Sequence, residues 1–385
     1  MPLDAPRIVD DAYRLIRCPD NALDDLCSRA SDVRDRGRGR RVSFSPKVFI
    51  PLTRLCRDAC SYCTFRQDPV EAERLYMTPE EVLAVARAGE RALCTEALFT
   101  LGERPEQRYP EARDWLARRG YRSTLDYLAA MCALVLNETT LLPHVNPGNM
   151  TRAEMELLRP VSASMGLMLE NVSERLCAPG GPHALAPSKH PRARLRTIEL
   201  AGELRVAFTT GLLIGIGETP EEIADSLVAI HKLQERYGHI QEVIIQNFRA
   251  KPGTPMAGAP EPTVNDIRRT VAVARLVLGS DVNIQVPPNL SRRDYPVYLL
   301  AGINDWGGIS PLTIDYVNPE APWPQIADLR RNTAQLGFAL TPRLPIYPEY
   351  LQAQPSFMTE AVQVRAAALV DPDGYVRGGV ERYGA

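Results

Sequence analysis

From residue 47 onward, short apolar runs alternate with helical stretches, and this rhythm constrains the fold more than any other feature. The runs fall at 48–52, 97–101, 141–145, 164–169, 205–214, 242–248, 283–286 and, more weakly, 302–305. Continuous apolar strands separated by helices mark a parallel sheet covered on both faces, and eight of them match a (β/α)8 TIM-type barrel. The helix entries are legible too. Thr78-Pro-Glu-Glu81 and Thr219-Pro-Glu-Glu222 place Thr at the N-cap, Pro in the first turn and Glu at the third helical position, and Thr151-Arg-Ala-Glu154 repeats the box without proline. Loops between strand ends and these caps lie on the face where barrels carry their sites. The expected organisation is an N-terminal helical extension and linker at 1–46, helical from 22 to 35, a barrel at 47–337 and a C-terminal tail at 338–385. The tail is proline-rich at first and is expected to pack across one mouth of the barrel.

Composition narrows the function classes. Apolar content of 45%, charged content of 24% and a net charge of −2 describe an ordinary globular chain with no general attraction to nucleic acid or anionic membrane. The run Arg34, Arg36, Arg38, Arg40, Arg41 reads as a solvated linker between the N-terminal helix and the first strand. No apolar run approaches the ~20 residues of a membrane span, and the opening residues lack the layout of a signal peptide. Free thiols imply a reducing, cytoplasmic setting. Cys18, Cys27, Cys94, Cys132 and Cys177 read as small buried hydrophobes.

The remaining cysteines share one loop, Cys56-Arg-Asp-Ala-Cys60-Ser-Tyr-Cys63, directly after the first apolar run. Three thiolates at these spacings can hold three corners of a cubane iron–sulfur cluster, leaving the fourth iron without a protein ligand and open for chemistry. A structural zinc site would need four ligands, commonly two close pairs, and no second C-x2-C exists. A redox pair of Cys60 and Cys63 would leave Cys56 without a role. The spacing C-x3-C-x2-C, with an aromatic before the last cysteine and Phe65 two after it, resembles the signature of radical S-adenosylmethionine (SAM) enzymes. The resemblance implies one [4Fe–4S] cluster ligated by Cys56, Cys60 and Cys63, with SAM on the open iron.

Further rim residues follow from that resemblance. Tyr62 would lie against the adenine. Gly102-Glu103 is similar to the superfamily's Gly-Gly-Glu motif, with Leu101 in place of the first glycine, and Glu103 would accept from the SAM amino group. On its own this pair also reads as a plain turn. Glu170 falls where a polar residue meets the ribose hydroxyls, while Asn171 or Ser173 also suits a helix cap. Arg196 would pair with the SAM carboxylate, with Arg192 and Arg194 as close rivals. Gly211-Leu-Leu-Ile-Gly215-Ile-Gly217-Glu218 fits the adenine-stacking pattern, giving Gly215 and Glu218 as cofactor residues. At other strand ends Asn146, Gln246, Asn247, Asn289 and Asp305 (beside Trp306) offer amides and a carboxylate to a uracil-like ring edge.

Longer stretches make the likeness narrower. Lys47-Val-Phe-Ile-Pro-Leu-Thr-Arg-Leu-Cys-Arg-Asp-Ala-Cys-Ser-Tyr-Cys-Thr-Phe65, Glu96-Ala-Leu-Phe-Thr-Leu-Gly-Glu-Arg-Pro105 and Thr209-Thr-Gly-Leu-Leu-Ile-Gly-Ile-Gly-Glu-Thr219 resemble the CofG half of deazaflavin (7,8-didemethyl-8-hydroxy-5-deazariboflavin, FO) synthase. Gly238 to Lys251 and Asn304 to Thr313 continue it. The resemblance implies that CofH joins the hydroxybenzyl part of tyrosine to 5-amino-6-(D-ribitylamino)uracil. A 5′-deoxyadenosyl radical in CofG then takes a benzylic hydrogen from the adduct, followed by cyclisation and ammonia loss to give this coenzyme F420 precursor. Implied partners are the CofH subunit that supplies the small-molecule substrate, in a transient complex, and a low-potential donor such as flavodoxin or ferredoxin. Neither nucleic acid nor membrane is implied. With no second cysteine trio, the chain reads as the stand-alone form. The alternatives are CofH itself, an aminofutalosine/menaquinone-type radical enzyme, or a zinc-binding barrel without radical chemistry.

Overall fold

The computed structural model describes residues 5–383 apart from Arg292; the first four residues, part of the expected N-terminal extension, and the last two, part of the tail, lie outside it. The first seven expected apolar runs each contribute a strand to one parallel barrel, and an eighth strand closes it just after the last run. The strands are β1 (Arg41–Pro51), β2 (Glu96–Thr100), β3 (Leu142–Asn146), β4 (Ser164–Gly166), β5 (Phe208–Ile214), β6 (Ile240–Asn247), β7 (Asn283–Gln285) and β8 (Asp305–Ile309). β1 pairs with both β2 and β8, which closes the cylinder. Helices cover the outside, so β5 is buried along its whole length and reads as an unbroken apolar run.

The helices are α1 (Ala5–Ile16), α2 (Leu23–Arg38), α3 (Pro79–Arg91), α4 (Pro110–Ala117), α5 (Thr124–Glu138), α6 (Arg152–Leu158), α7 (Pro191–Glu203), α8 (Pro220–Tyr237) and α9 (Val264–Leu278). α10 (Ile326–Gln335), α11 (Pro348–Leu351) and α12 (Glu360–Leu369) follow. Thr78, Thr151 and Thr219 form complete capping boxes at α3, α6 and α8, and Thr263 with Asp266 adds another at α9. Each stabilises its helix entry by roughly 1 kcal/mol, and together they fix where the rim loops end.

Three expectations change. The arginine run is not a solvated linker: α2 extends through it, and Arg34 is fully buried, donating to the carbonyls of Leu299 (2.6 Å) and Ile303 (3.0 Å). Arg41 already belongs to β1, so the barrel starts before Lys47. The last barrel strand lies later than 302–305. A short 3-10 segment ends at Gly302, whose φ of 109° turns the chain, and the extended run starts at Asp305.

The tail supplies an unforeseen ninth strand, β9 (Ala339–Pro342), parallel to the first half of β1. The chain then passes beneath the barrel. Leu344, Ile346, Tyr347 and Tyr350 pack with Leu142, Ala163 and Ala207, close to where the strands begin, in a second apolar core. The Pro345 carbonyl accepts from Ser164 Oγ (2.7 Å) and Gln241 Nε2 (3.0 Å). Arg343 donates to Asp305 (2.8 and 2.9 Å) and to Glu242 (3.0 Å), which also accepts from Tyr347 Oη (3.0 Å) and Thr209 Oγ1 (3.0 Å). This floor seals the end of the barrel opposite the cysteine loop.

Candidate active site at the barrel rim

The cysteine loop leaves β1 at Pro51 and is irregular, so its shape comes from tethers. Leu55 is fully buried beneath it. Arg54 ties its far end back by donating to the carbonyls of Phe65 and Thr64, both at 3.0 Å. The loop after β4 lies against it: Ala59 N donates to Leu185 O, and Ser61 N to Pro182 O, each at 2.9 Å. From the other side comes the turn after β2, where Gly102 N donates to Thr53 O at 2.9 Å. A Cβ on Gly102 would collide with the Leu55 carbonyl oxygen, so only glycine allows that approach. The approach brings the Glu103 backbone N–H to Cys56 Sγ at 3.2 Å.

Cys56, Cys60 and Cys63 line one cavity of about 360 Å³. Burial pushes the thiols of Cys56 and Cys60 up to about 12; Lys189 opposes this at Cys60, while Asp58 and Cys63 add to it at both. These thiols stay protonated at neutral pH unless a cation takes the proton's place. Among the described residues no three His, Cys, Asp or Glu side chains converge as they would around a single ion. Thiolates radiating from three corners of a cubane stand farther apart than ligands of one ion, so soft donors on one loop, with a backbone N–H on one sulfur, fit a cluster.

Below the cysteines the cavity changes character in tiers. Phe49, Phe65 and Leu98 form an apolar band against which Cys63 packs. Lys47, Glu96, His144, Gln246 and Gln285 line the cavity as well, and Glu242 and Arg343 reach it from the floor. Ser164 donates to Pro345 O and therefore accepts from His144 Nδ1 at 2.6 Å. Burial holds His144 below its usual pKa, and its Nε2 lies 3.2 Å from Asn146 Oδ1.

Of the residues expected at the site, Tyr62, Gly102, Glu103, Glu170, Asn146 and Gln246 line this cavity with the cysteines. Tyr62 Oη meets His183 Nε2 at 2.9 Å, and burial lowers that histidine to about 3, keeping it neutral. Burial raises Glu103, opposed chiefly by Arg194. Burial would also raise Glu170, but Lys189, its ion-pair partner, and Arg194 overcome that and hold it ionised. Glu170 has a φ of 65°, a strained conformation for a non-glycine residue and one frequent at functional sites.

Other expectations are corrected. Arg196 is half exposed on the outer face of α7, paired with Glu199 (2.6 Å) and Glu203 (2.8 Å), whereas Arg194 is buried and lines the cavity. Two residues apart on a helix differ by about 200°, so both cannot face the site. Asn247 lies next to Gln246 on β6 and turns away, donating to Leu290 O at 3.4 Å. Asn289 is committed to Asp315 (2.9 Å) and Ala321 O (3.0 Å). Asp305 opens its strand rather than closing it and belongs to the floor, while Trp306 donates to Thr333 at 3.1 Å on the helix side. Glu218 accepts from the backbone N–H groups of Gly215 (2.6 Å) and Ile216 (2.8 Å), so both residues build a turn beside the cavity. Sequence reasoning missed Lys189, Lys47, Gln285 and Arg343. Alternation along β1 and β7 could have found two of them, but nothing local marks Lys189 or Arg343.

Comparison with known proteins agrees with this geometry. The FeFe-hydrogenase maturase HydG from Carboxydothermus hydrogenoformans superposes with a TM-score of 0.69 at 20% identity, covering 95% of this chain and 79% of that one. Methylornithine synthase (PylB) gives 0.68 at 20% identity, covering 87% and 96%. These likenesses speak to the fold. Residues 50–230 match the radical SAM superfamily profile, which sets the class. A 7,8-didemethyl-8-hydroxy-5-deazariboflavin synthase of Methanopyrus kandleri is 58% identical over 311 residues, covering 81% of this chain and 93% of the relative. An FO synthase of Streptomyces avermitilis is 49% identical over 94% of this chain, which spans 43% of that longer protein. The chain belongs to the 7,8-didemethyl-8-hydroxy-5-deazariboflavin synthase family of radical SAM enzymes. No helix among the described residues is long and apolar enough to cross a membrane.

Proposed function

We propose that this chain carries out the ring-closing half of deazaflavin synthesis, on the hydroxybenzyl adduct of 5-amino-6-(D-ribitylamino)uracil. The observation that carries the reading is the cysteine trio at the open rim of a closed barrel, above a cavity that passes from an aromatic band to a polar interior. Cys56, Cys60 and Cys63 would each hold one iron of a [4Fe–4S] cluster, with SAM on the fourth. When bound, these groups would supply the radical that takes the benzylic hydrogen. The ribityl-bearing nitrogen then bonds to the ortho carbon of the phenol ring, and ammonia leaves. The ring gives up one proton and one electron to become aromatic, the electron replacing the one spent in cleaving SAM.

The chain's own residues orient and shield. Glu103, buried at the rim, is placed to accept from an amino group, and Arg194 presents a guanidinium to a carboxylate. Glu170, kept ionised by Lys189, suits paired hydroxyls, and Tyr62 offers a ring to adenine. The loops after β1, β2 and β4 interlock over the cavity and restrict water. Asn146 and Gln246 supply donors and acceptors for the pyrimidine edge.

The FO synthases are longer than this chain, and we assign the part it does not span to a CofH-type half that makes the adduct. A separate CofH subunit would hand the adduct to this chain in a transient complex, and a flavodoxin or ferredoxin would supply the electron. The test is anaerobic reconstitution with iron and sulfide, then incubation with the adduct, SAM and a reductant. Fluorescent deazaflavin with stoichiometric 5′-deoxyadenosine is the expected result. 5′-Deoxyadenosine formed only with some other substrate would reject this reaction in favour of a sister enzyme.

A further inference from the structure

Only four of the 45 basic residues are lysines, and two of them, Lys47 and Lys189, line the cavity. Lys189 is ion-paired with Glu170, and Lys251, buried nearby, donates to Val317 O at 2.7 Å. Lys47 differs. Among the described residues its ammonium has neither an ion pair nor a hydrogen-bond acceptor. It sits 4.8 Å from the centroid of the Trp323 ring and 5.8 Å from that of Phe49. A buried ammonium with no direct ion pair or hydrogen bond is costly unless a ligand completes it.

The surroundings make room for that side chain. Across from it on β8, a Cβ on Gly308 would run into the outer carbons and nitrogen of Lys47. The charged groups around Lys47 are Glu96 on β2, Glu242 on β6, Asp315 after β8 and Arg343 below. Burial draws Lys47 down from its usual pKa, the three carboxylates hold it up, and Arg343 opposes them.

Register orders the tiers. Lys47 lies beside Glu96, and one inward step nearer the rim Phe49 lies beside Leu98. Phe65 joins that pair, and Cys63 packs against the group. We propose that Lys47 receives the phenolic oxygen of the substrate, with Phe49, Phe65 and Leu98 holding the hydroxyphenyl ring between that ammonium and the cysteine rim. A hydroxybenzyl group has its reacting carbon at one end of a flat apolar ring and its oxygen at the other. That order matches rim, apolar band and lysine. A polyol placed in the same band would bury its hydroxyls against apolar walls. Lys47 is thereby a specificity-determining residue, and the inference rests on the reaction proposed above.

Two measurements test it with the full chain. In the first, deazaflavin is titrated with pH while bound, its phenol and phenolate being distinguished by absorbance. Wild type lowers the bound phenol's pKa by about one unit or more, that is, binds phenolate about tenfold tighter than phenol; Lys47→Met does not. In the second, kcat/KM is compared for the adduct and for its analogue lacking the phenol oxygen. Lys47→Met costs about 10- to 100-fold on the adduct, the range for a hydrogen bond to a charged group, and stays within about twofold on the analogue. Unchanged melting and iron content show that the variant is folded. Equal losses on both substrates, or an unaltered bound pKa, would overturn the lysine's role while leaving the reaction intact. A wild type that makes no deazaflavin at all would overturn the reading beneath it, and the proposal with it.

Discussion

At the floor of the barrel Arg343, Asp305, Glu242, Tyr347 and Thr209 satisfy one another with hydrogen bonds of 2.8–3.0 Å. Higher in the same cylinder, the side chains of Lys47, Gln246 and Gln285 and the sulfurs of Cys60 and Cys63 face the cavity without protein hydrogen-bond partners among the described residues. Lys47 and Gln285 are as buried as the floor residues, so exposure alone does not account for the difference. A saturated network holds a fold together, whereas a set left incomplete costs stability unless something else completes it. The lower end is built to close, the upper to bind.

Breaking each end should therefore produce different failures. The largest effect is expected at the rim: Cys63→Ala should bring iron and labile sulfide to background and deazaflavin below detection. Its apo-protein melting curve should barely move. At the floor, Arg343→Met strands two buried carboxylates and should cost about 3–5 kcal/mol, read from the urea midpoint. An unchanged midpoint would mean that the network does not hold the floor.

How much of this could be read beforehand follows the same division. The cysteine loop, the glycine at 102 and the capped helices are local signals, legible because spacing or backbone geometry dictates the residue. The floor is not local. β9 pairs with a strand near the other end of the chain and Arg343 reaches Glu242, 101 residues earlier, and neither pattern nor propensity announces those pairings. The Arg194 and Arg196 ambiguity is of an intermediate kind: the right helix was identified, but which face it turned inward depended on its packing.

That ambiguity gives a sharper test. Arg194→Met should weaken SAM binding by about 10- to 100-fold, while Arg196→Ala should stay within about twofold, as expected for an exposed ion pair. Calorimetry on reconstituted protein decides, and the reverse ranking would refute the placement. A smaller effect concerns pH. Burial raises Glu242 to about 7 despite Arg343, with the neighbouring Asp305 charge adding to the rise. The folded state then holds a proton that the unfolded chain releases near 4.5. Its contribution is fully present below that pH and is lost as pH rises to 7, with a slope of at most ~1.4 kcal/mol per unit. Glu242→Gln should flatten that part of the stability curve, and an unchanged slope would assign the proton elsewhere.

The account stands on an open iron at the rim, and the electron paramagnetic resonance spectrum of the reduced, reconstituted protein tests this directly. A [4Fe–4S]⁺ signal that changes on adding SAM, and disappears in Cys63→Ala, is the predicted result. A signal indifferent to SAM, or bound zinc without labile sulfide, would contradict it.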